Sequence, residues 1–283
     1  MEIHASKLGS VCGVNPFESR DLCILEQRIK KNKNEYKRKF MDLGLIVLTT
    51  FESENITKRL KTVYNKHSST IKNPSDFNKT KTDIIEEIKK TSDLTNKNIS
   101  LIKDIIDSDM KKDCGKNNEP IIISNNKYKK GNSRLWQFKF NNECIIKGFH
   151  DATNGDIVIE IKTRMKESNV RKNKYDLYQL FGYLMLMNKQ KGKIVQYYNN
   201  KTFDSDVETN NEYGVIDIKQ EKWTNMYDTF LKELKMFCED VKNKEITFEE
   251  LFGGVDKPIA NIDVDGVYCN INPRYESLIK SLY

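Results

Sequence analysis

The chain has 283 residues, of which 37% are hydrophobic and 31% are charged, and its formal net charge is +7. The 13 phenylalanines and 13 tyrosines are enough for a hydrophobic core, which excludes global disorder. No apolar run reaches the roughly 18 residues of a membrane-spanning helix, and the six scattered cysteines have no zinc-type spacing, so we expect a soluble intracellular protein with reduced thiols.

The first part of the chain, residues 1–66, is predicted to be helical. Apolar residues at helical spacing predict a helix from about Leu22 to Phe40, and its basic second half is either a solvated face or a phosphate-contacting patch. Residues 67–118 are rich in lysine, asparagine, aspartate and serine and hold two helical patches, Asp83–Lys90 and Ile99–Met110. This composition predicts a polar helical insertion or linker.

From residue 119 to 283 the pattern predicts an α/β core. Alternating apolar residues and turn signals at Asn141-Asn142 and Asn154-Gly155 predict three antiparallel strands in a meander. The order of elements predicts a mixed β-sheet flanked by helices. The predicted elements are strands at Pro120–Ser124, Arg134–Phe140, Glu143–Phe149, Asp156–Lys162, Lys193–Tyr198, Tyr213–Ile218 and Ile262–Tyr268, and helices at Tyr175–Met187 and Lys222–Val241.

The strongest chemical signal lies in residues 148–163. Side chains alternate along a strand, so Glu160 and Lys162 share one face while the isoleucines at 157, 159 and 161 share the other. Asp151 ends the preceding strand and can approach Glu160 and Lys162. Two carboxylates beside a lysine are typical of a Mg²⁺ site, whereas an exposed Glu160–Lys162 ion pair, worth under about 1 kcal/mol, is the structural alternative.

This motif order resembles the PD-(D/E)xK nuclease superfamily, with His150-Asp151 in place of the usual Pro-Asp. The Gly148-x-x-Asp151 entry and the Gln179-x-x-x-Tyr183 pair are similar to the RecB-like branch. The segments Ala5-Ser6 and Gly13–Phe17 are similar to the opening of YqaJ-type viral recombinases, relatives of lambda exonuclease. The likeness covers about residues 5–60 and 134–200, and it implies a restriction-endonuclease-like core.

The resemblance also implies the metal ligands. Asp151, Glu160 and the backbone carbonyl of Ile161 would hold Mg²⁺ or Mn²⁺. The relatives carry a further glutamate in a G-x-x-x-E element on a helix, but here Gly44 is followed by Leu48 at that spacing. The nearest acids are Glu52 and Glu54, and Glu52 is preferred because a predicted helix follows it.

The same resemblance implies roles for the remaining candidates. Lys162 would position the attacking water, and Gln179 and Tyr183, one helical turn apart, would orient the lysine, the water or a phosphate. Four residues are predicted to contact nucleic acid: Ser6, Thr163, Arg164 and Lys166.

The resulting functional hypothesis is a metal-dependent deoxyribonuclease that acts as a 5′→3′ exonuclease in recombination, repair or replication. A structure-selective endonuclease or junction resolvase, and an inactive nucleic-acid-binding module, are the alternatives. The net positive charge agrees with a DNA partner, although lysine-rich codon usage explains it equally well. Lambda-exonuclease relatives form rings, so a homo-oligomer is a further expectation.

Overall fold

The computed structural model describes residues 1–42, 47–48, 51–90, 96–131, 135–165, 174–198, 201–204, 214–247, 251, 260–264 and 267–271. The chain forms two compact units. The first contains Met1–Gln27 and Asn118–Ile246, and the second contains Arg28–Asn117 and Thr247–Tyr283. The predicted parts 1–66 and 119–283 are therefore each divided between the two units, whereas the predicted insertion 67–118 belongs to the second unit except for Asn118.

Both units combine helices and strands, so the fold is mixed α/β. In the described residues the helices are α1 (Leu8–Val11), α2 (Arg20–Lys31), α3 (Lys33–Asp42), α4 (Phe51–His67), α5 (Phe77–Lys89), α6 (Asn96–Asn125), α7 (Lys174–Met187) and α8 (Glu221–Asn243). The strands are β1 (Glu2–His4), β2 (Val47–Leu48), β3 (Lys129–Lys130), β4 (Trp136–Lys139), β5 (Ile145–Gly148), β6 (Ala152–Asn154), β7 (Ile157–Thr163), β8 (Lys191–Tyr198), β9 (Lys201–Asp204), β10 (Ile216–Asp217), β11 (Ala260–Val264) and β12 (Val267–Ile271). None of these helices combines the length and the apolar composition needed to cross a membrane.

The main sheet of the first unit is mixed, as predicted. Its strand order is β10-β8-β7-β6-β3, and β9 also pairs with β8. Strands β7 and β8 are parallel, and the other pairs are antiparallel. The helix α7 connects the two parallel strands, which is the usual way to join neighbours that run in the same direction.

The predicted three-stranded meander is wrong in its last pairing. Strand β5 lies between β4 and β1 in a separate three-stranded sheet, and β7 pairs with β6 instead. A strand has only two edges, and both edges of β5 are taken by β1 and β4. The chain therefore leaves this sheet after Gly148 and enters the main sheet at Ala152.

The predicted strand Pro120–Ser124 is also wrong, because these residues continue α6. Pro120 removes one helical hydrogen bond, which disfavours a helix by roughly 3 kcal/mol. Burial of Ile122 and Ile123 against the main sheet favours it. The predicted helix from Leu22 to Phe40 divides at Asn32 into α2 and α3.

Three other predicted elements are confirmed to within two residues by α7, β8 and α8. Of the predicted strand Tyr213–Ile218, only Ile216 and Asp217 form a strand, β10, among the described residues. Tyr213 lies outside the described residues. The predicted strand at Ile262–Tyr268 corresponds to two strands, β11 and β12, which form an antiparallel pair in the second unit.

The core of the first unit covers both faces of β7. On one face, Ile159 and Ile161 pack with Ile122 and Ile123 of α6. On the other face, Val158 joins a cluster built largely from α7, α8 and the N-terminal residues. The predicted alternation is confirmed, but the Glu160 face is buried as well, because α7 covers it.

Candidate active site

The site is formed where the charged face of β7 meets α7. Two pairs of contacts join them: Lys162 with Gln179, and Arg164 with Asp176. Two residues along a strand advance about 6.6 Å, and three along a helix advance about 4.5 Å. The two distances are similar, and α7 runs antiparallel to β7. Gln179 and Asp176 can therefore meet Lys162 and Arg164, which lie on one face of the strand.

Asp151 caps the end of the β6–β7 ladder. The last paired residues are Ala152 and Ile159, and the Asp151 carboxylate accepts the next free backbone N–H, that of Ile161, at 2.7 Å. Burial raises the pKa of Asp151 well above its usual value, and the nearby Glu160 charge raises it further. This carboxyl group is therefore fixed in place, and the positive charge near it does not fully compensate its ionised form.

Glu160 is almost completely buried, with 1% of the residue exposed. One carboxylate oxygen, Oε1, is 2.7 Å from Lys162 Nζ, while Oε2 is buried and accepts no hydrogen bond from the described residues. Burial raises the pKa of Glu160, although Lys162 opposes this, and the Glu160 charge in turn raises the pKa of Asp151. Two carboxyl groups that interact in this way stay ionised together only if a further cation joins them.

Lys162 is anchored from both elements. Its ammonium group contacts Glu160 on its own strand and donates a hydrogen bond of 2.7 Å to Gln179 Oε1 on α7. Burial lowers the pKa of Lys162, but the Glu160 and Asp176 carboxylates outweigh burial, so the pKa is raised and the lysine stays charged. Gln179 in turn donates through Nε2 to Tyr183 Oη at 3.2 Å. The structure thus brings the predicted residues Glu160, Lys162, Gln179 and Tyr183 together in one chain of contacts.

A glycine allows α7 to approach this edge. A Cβ placed on Gly148 would lie only 3.0 Å from Ala5 Cβ and from Tyr183 Cε1. A side chain at the end of β5 would therefore press on both Ala5 and the Tyr183 ring, so this close approach favours glycine in the Gly148-x-x-Asp151 pattern.

Glu119 is a residue of this region that the sequence interpretation missed. It lies on α6, burial raises its pKa, and its charge raises the pKa of both Asp151 and Tyr183. Gly115 and Glu119 have the G-x-x-x-E spacing that was sought around Gly44. The signal was present in the sequence, but the following Pro120 favoured the interpretation of a strand instead of a helix.

The preferred third acid, Glu52, lies in the first turn of α4 in the second unit. Its side chain is outside the described part of the structure, as is that of Glu54, so both remain predictions.

The predicted nucleic-acid contacts have different surroundings. Ser6 is exposed, and its Oγ lies 2.9 Å from His4 Nδ1. Thr163 is half-buried at the end of β7, and Lys166 lies outside the described residues. Arg164 is buried, and its guanidinium donates to Asp176 and Gln196, so protein contacts occupy the group expected to face a phosphate.

The oxygen atoms at this edge fit a divalent cation. The N–H and C=O of one strand residue point to the same side, so the Ile161 carbonyl faces the edge where Asp151 lies. Together with the unpartnered Oε2 of Glu160, this gives oxygen ligands suited to Mg²⁺ or Mn²⁺. Among the described residues, no group of three or more His, Cys, Asp and Glu side chains is arranged to hold a metal by itself.

Comparisons with known proteins add little. No protein-family model matches the chain, and no curated protein matches it. A solved structure described as "Crystal structure of SSO0001" is similar over 66% of this chain and 84% of that chain, with 19% sequence identity and a TM-score of 0.33. A TM-score this low carries no argument about fold or function.

Proposed function

We propose that the protein is a metal-dependent deoxyribonuclease with a restriction-endonuclease-like core of the PD-(D/E)xK type. The observation that carries this proposal is a pair of carboxyl groups with raised pKa values, the half-buried Asp151 and the buried Glu160, beside a lysine that contacts Glu160 at 2.7 Å. Carboxyl groups with raised pKa values that meet a fixed cation are characteristic of functional sites.

Asp151, Glu160 and the Ile161 carbonyl would hold Mg²⁺ or Mn²⁺. Glu119, whose charge raises the pKa of Asp151, is a candidate for a further acid. When bound, the ion supplies an activated water and neutralises charge on the scissile phosphate. The raised pKa values of Asp151 and Glu160 belong to the metal-free protein. Both groups must lose their protons to bind the ion, so metal affinity is expected to rise with pH.

Lys162 supplies a fixed positive charge beside the carboxylates. Because Gln179 and Glu160 hold its ammonium group, the charge can stabilise the negative charge that develops on a phosphate oxygen without a costly rearrangement. Gln179 is itself held by Tyr183, which fixes the amide with its oxygen toward the lysine. Neither Gln179 nor Tyr183 needs to change its protonation state for this role.

We propose DNA ends as the substrate and 5′→3′ exonuclease action as the mode. The support is the similarity of Ala5-Ser6 and Gly13–Phe17 to YqaJ-type recombinases, together with the net charge of +7. Recombination, repair and replication are the processes that need such an activity.

The test is cleavage of end-labelled linear duplex DNA by the wild-type protein, Asp151→Asn and Asp156→Asn in Mg²⁺. Asp156 is a matched control, since its carboxylate is exposed and pairs with Lys189. We expect the wild type and Asp156→Asn to shorten the duplex and Asp151→Asn to be inactive. Equal digestion by all three, or digestion in a chelator, would refute the assignment.

Covalently closed circular DNA separates the modes of action. An exonuclease leaves the circle intact, whereas a structure-selective endonuclease nicks or linearises it. Salt-dependent binding without cleavage in any divalent metal would indicate an inactive nucleic-acid-binding module instead.

A further inference from the structure

One buried carboxylate of the site has no role in the mechanism above. Asp176 lies in the first turn of α7, and only 1% of the residue is exposed. Its Oδ1 accepts no hydrogen bond from the described residues but lies 3.7 Å from Lys162 Nζ. A buried charge without full compensation costs stability, so its position calls for an explanation.

Asp176 is fixed in place by Arg164. The guanidinium donates to Asp176 Oδ2 through one terminal nitrogen and to Gln196 Oε1 through Nε, the latter at 2.7 Å. The backbone N–H of Arg164 also donates to the carbonyl of Tyr197 at 2.7 Å. Arg164 therefore contacts β8 at two points and binds Oδ2 of Asp176. The other carboxylate oxygen, Oδ1, lies on the side of Lys162.

The ammonium group of Lys162 has three N–H donors. Glu160 and Gln179 each lie 2.7 Å away, and Asp176 is the third polar neighbour. A cation bound through Glu160 Oε2 would weaken the attraction between that carboxylate and Lys162, which contacts Oε1. Gln179 is neutral and Asp151 would bind the same cation, so Asp176 is then the carboxylate near the lysine, among the described residues, that the cation does not share.

We propose that Asp176, fixed by Arg164, is a positioning residue that holds Lys162 in the site when Glu160 no longer does. Its importance for cleavage rests on the proposed nuclease function, whereas the hold on Lys162 is a property of the protein alone. Arg164 accordingly orients Asp176 and does not contact nucleic acid.

The test observes the Lys162 ammonium group directly, in metal-free protein, by ¹H–¹⁵N spectra of lysine NH₃⁺ groups at mildly acidic pH. A held ammonium group exchanges its protons slowly and gives a signal, which Lys162→Met assigns by its disappearance. We expect the signal to persist in Glu160→Gln and in the control Glu160→Gln/Asp156→Asn. We expect it to be lost in Glu160→Gln/Asp176→Asn.

Loss of the signal in Glu160→Gln alone, or its persistence in Glu160→Gln/Asp176→Asn, would overturn the proposal. If the double variant does not fold because Arg164 is left unpaired, adding Arg164→Gln removes both charges of the buried pair together, and the signal must still be lost. If neither the double variant nor the triple variant folds, the single variant Glu160→Gln decides. Retention of the Lys162 ammonium signal in this variant supports the proposal, and its loss refutes the proposal.

The cleavage assay distinguishes the two proposals from each other. If the wild type does not cleave DNA but the ammonium signals behave as expected, the nuclease function fails and the positioning role stands. If the wild type cleaves DNA, Asp176→Asn should lower kcat in the wild-type background and have no further effect in Lys162→Met, because its effect passes through the lysine. A purely structural role would lower the rate in both backgrounds.

Discussion

The two faces of β7 are both buried, yet they contain opposite kinds of side chain. Ile159, 1% exposed, packs among isoleucines from α6 and apolar residues of β8, whereas its neighbour Glu160, also 1% exposed, lies among charged and polar groups under α7. Fully burying an isoleucine stabilises a fold by about 1.5–3 kcal/mol. Burying an ionised carboxylate destabilises the fold by several kcal/mol unless it is compensated.

One face of β7 therefore packs the sheet against α6, and the other face gathers charged and polar side chains under α7. Glu160 and Asp151 have raised pKa values because burial disfavours their charged forms. Lys162 compensates part of the Glu160 charge, and Arg164 on the same face pairs with Asp176 of α7. Substitutions on the apolar face are therefore expected to lower stability, and substitutions on the charged face are expected to lower activity.

The largest expected effect is on activity, from Lys162→Met on the charged face. Methionine keeps the length of the side chain but removes the positive charge, so we expect the cleavage rate to fall about 10²–10³-fold while divalent-metal binding is retained. Steady-state cleavage kinetics and metal titration measure the two properties. Lys189→Met, which changes a partly exposed lysine of the same unit, should cleave at the wild-type rate. Unchanged cleavage by Lys162→Met would contradict the role given to this lysine.

The next effect is on stability, from Ile159→Ala on the apolar face. Removing this side chain leaves a cavity between β7 and α6, so the free energy of unfolding should fall by about 2–4 kcal/mol. Met236, with 51% of the residue exposed, is the control, and Met236→Ala should change stability by no more than about 0.5 kcal/mol. Denaturant unfolding measures both variants. Equal losses would show that this face is not a packed core.

A smaller effect on stability is expected for Asp151→Asn in metal-free protein, and this variant should be stabilised, whereas Ile159→Ala is destabilised. The pKa of Asp151 is raised in the folded state, so ionising it at higher pH disfavours folding. Protonated Asp151 adds to the free energy of unfolding, and this addition is fully present below the usual carboxyl pKa of about 4. It is lost as the pH rises through the pKa that Asp151 has in the folded protein. Asparagine can still accept the Ile161 N–H, so the variant should be more stable at neutral pH by about 0.5–2 kcal/mol.

Thermal unfolding in a chelator at several pH values checks this sign. The gain of Asp151→Asn should shrink as the pH approaches about 4. Asp156→Asn should show the opposite trend, since a hydrogen bond from Lys189 lowers the pKa of Asp156. A destabilised Asp151→Asn at neutral pH, or a gain that does not vary with pH, would contradict the burial of an ionisable carboxyl group.

Local periodicity predicted the parts of the site that depend on one element at a time. Strand alternation placed Glu160 and Lys162 on one face, and helical spacing placed Gln179 and Tyr183 together on α7. Each of these statements involves residues no more than four positions apart, and the backbone geometry of a strand or helix determines them.

Contacts between distant segments could not be predicted in this way. The pairing of β1 with β5 joins Glu2 to Ile145, and nothing in either short segment specifies the other. The contact of Asp176 with Arg164 depends on how α7 packs over β7, although Asp176 is three residues before Gln179 and so shares its helix face. Glu119 was missed for a local reason, because the sequence indicated no helix at Pro120.

Calorimetric titration of metal-free protein with Mn²⁺ near neutral pH tests most directly the proposed metal site at Asp151 and the charged face of β7. The wild type and Asp156→Asn should bind the ion with the same affinity, and Asp151→Asn should show no binding at this site. Equal binding by all three proteins would place the metal elsewhere. No binding to the wild type would contradict a metal site on this face.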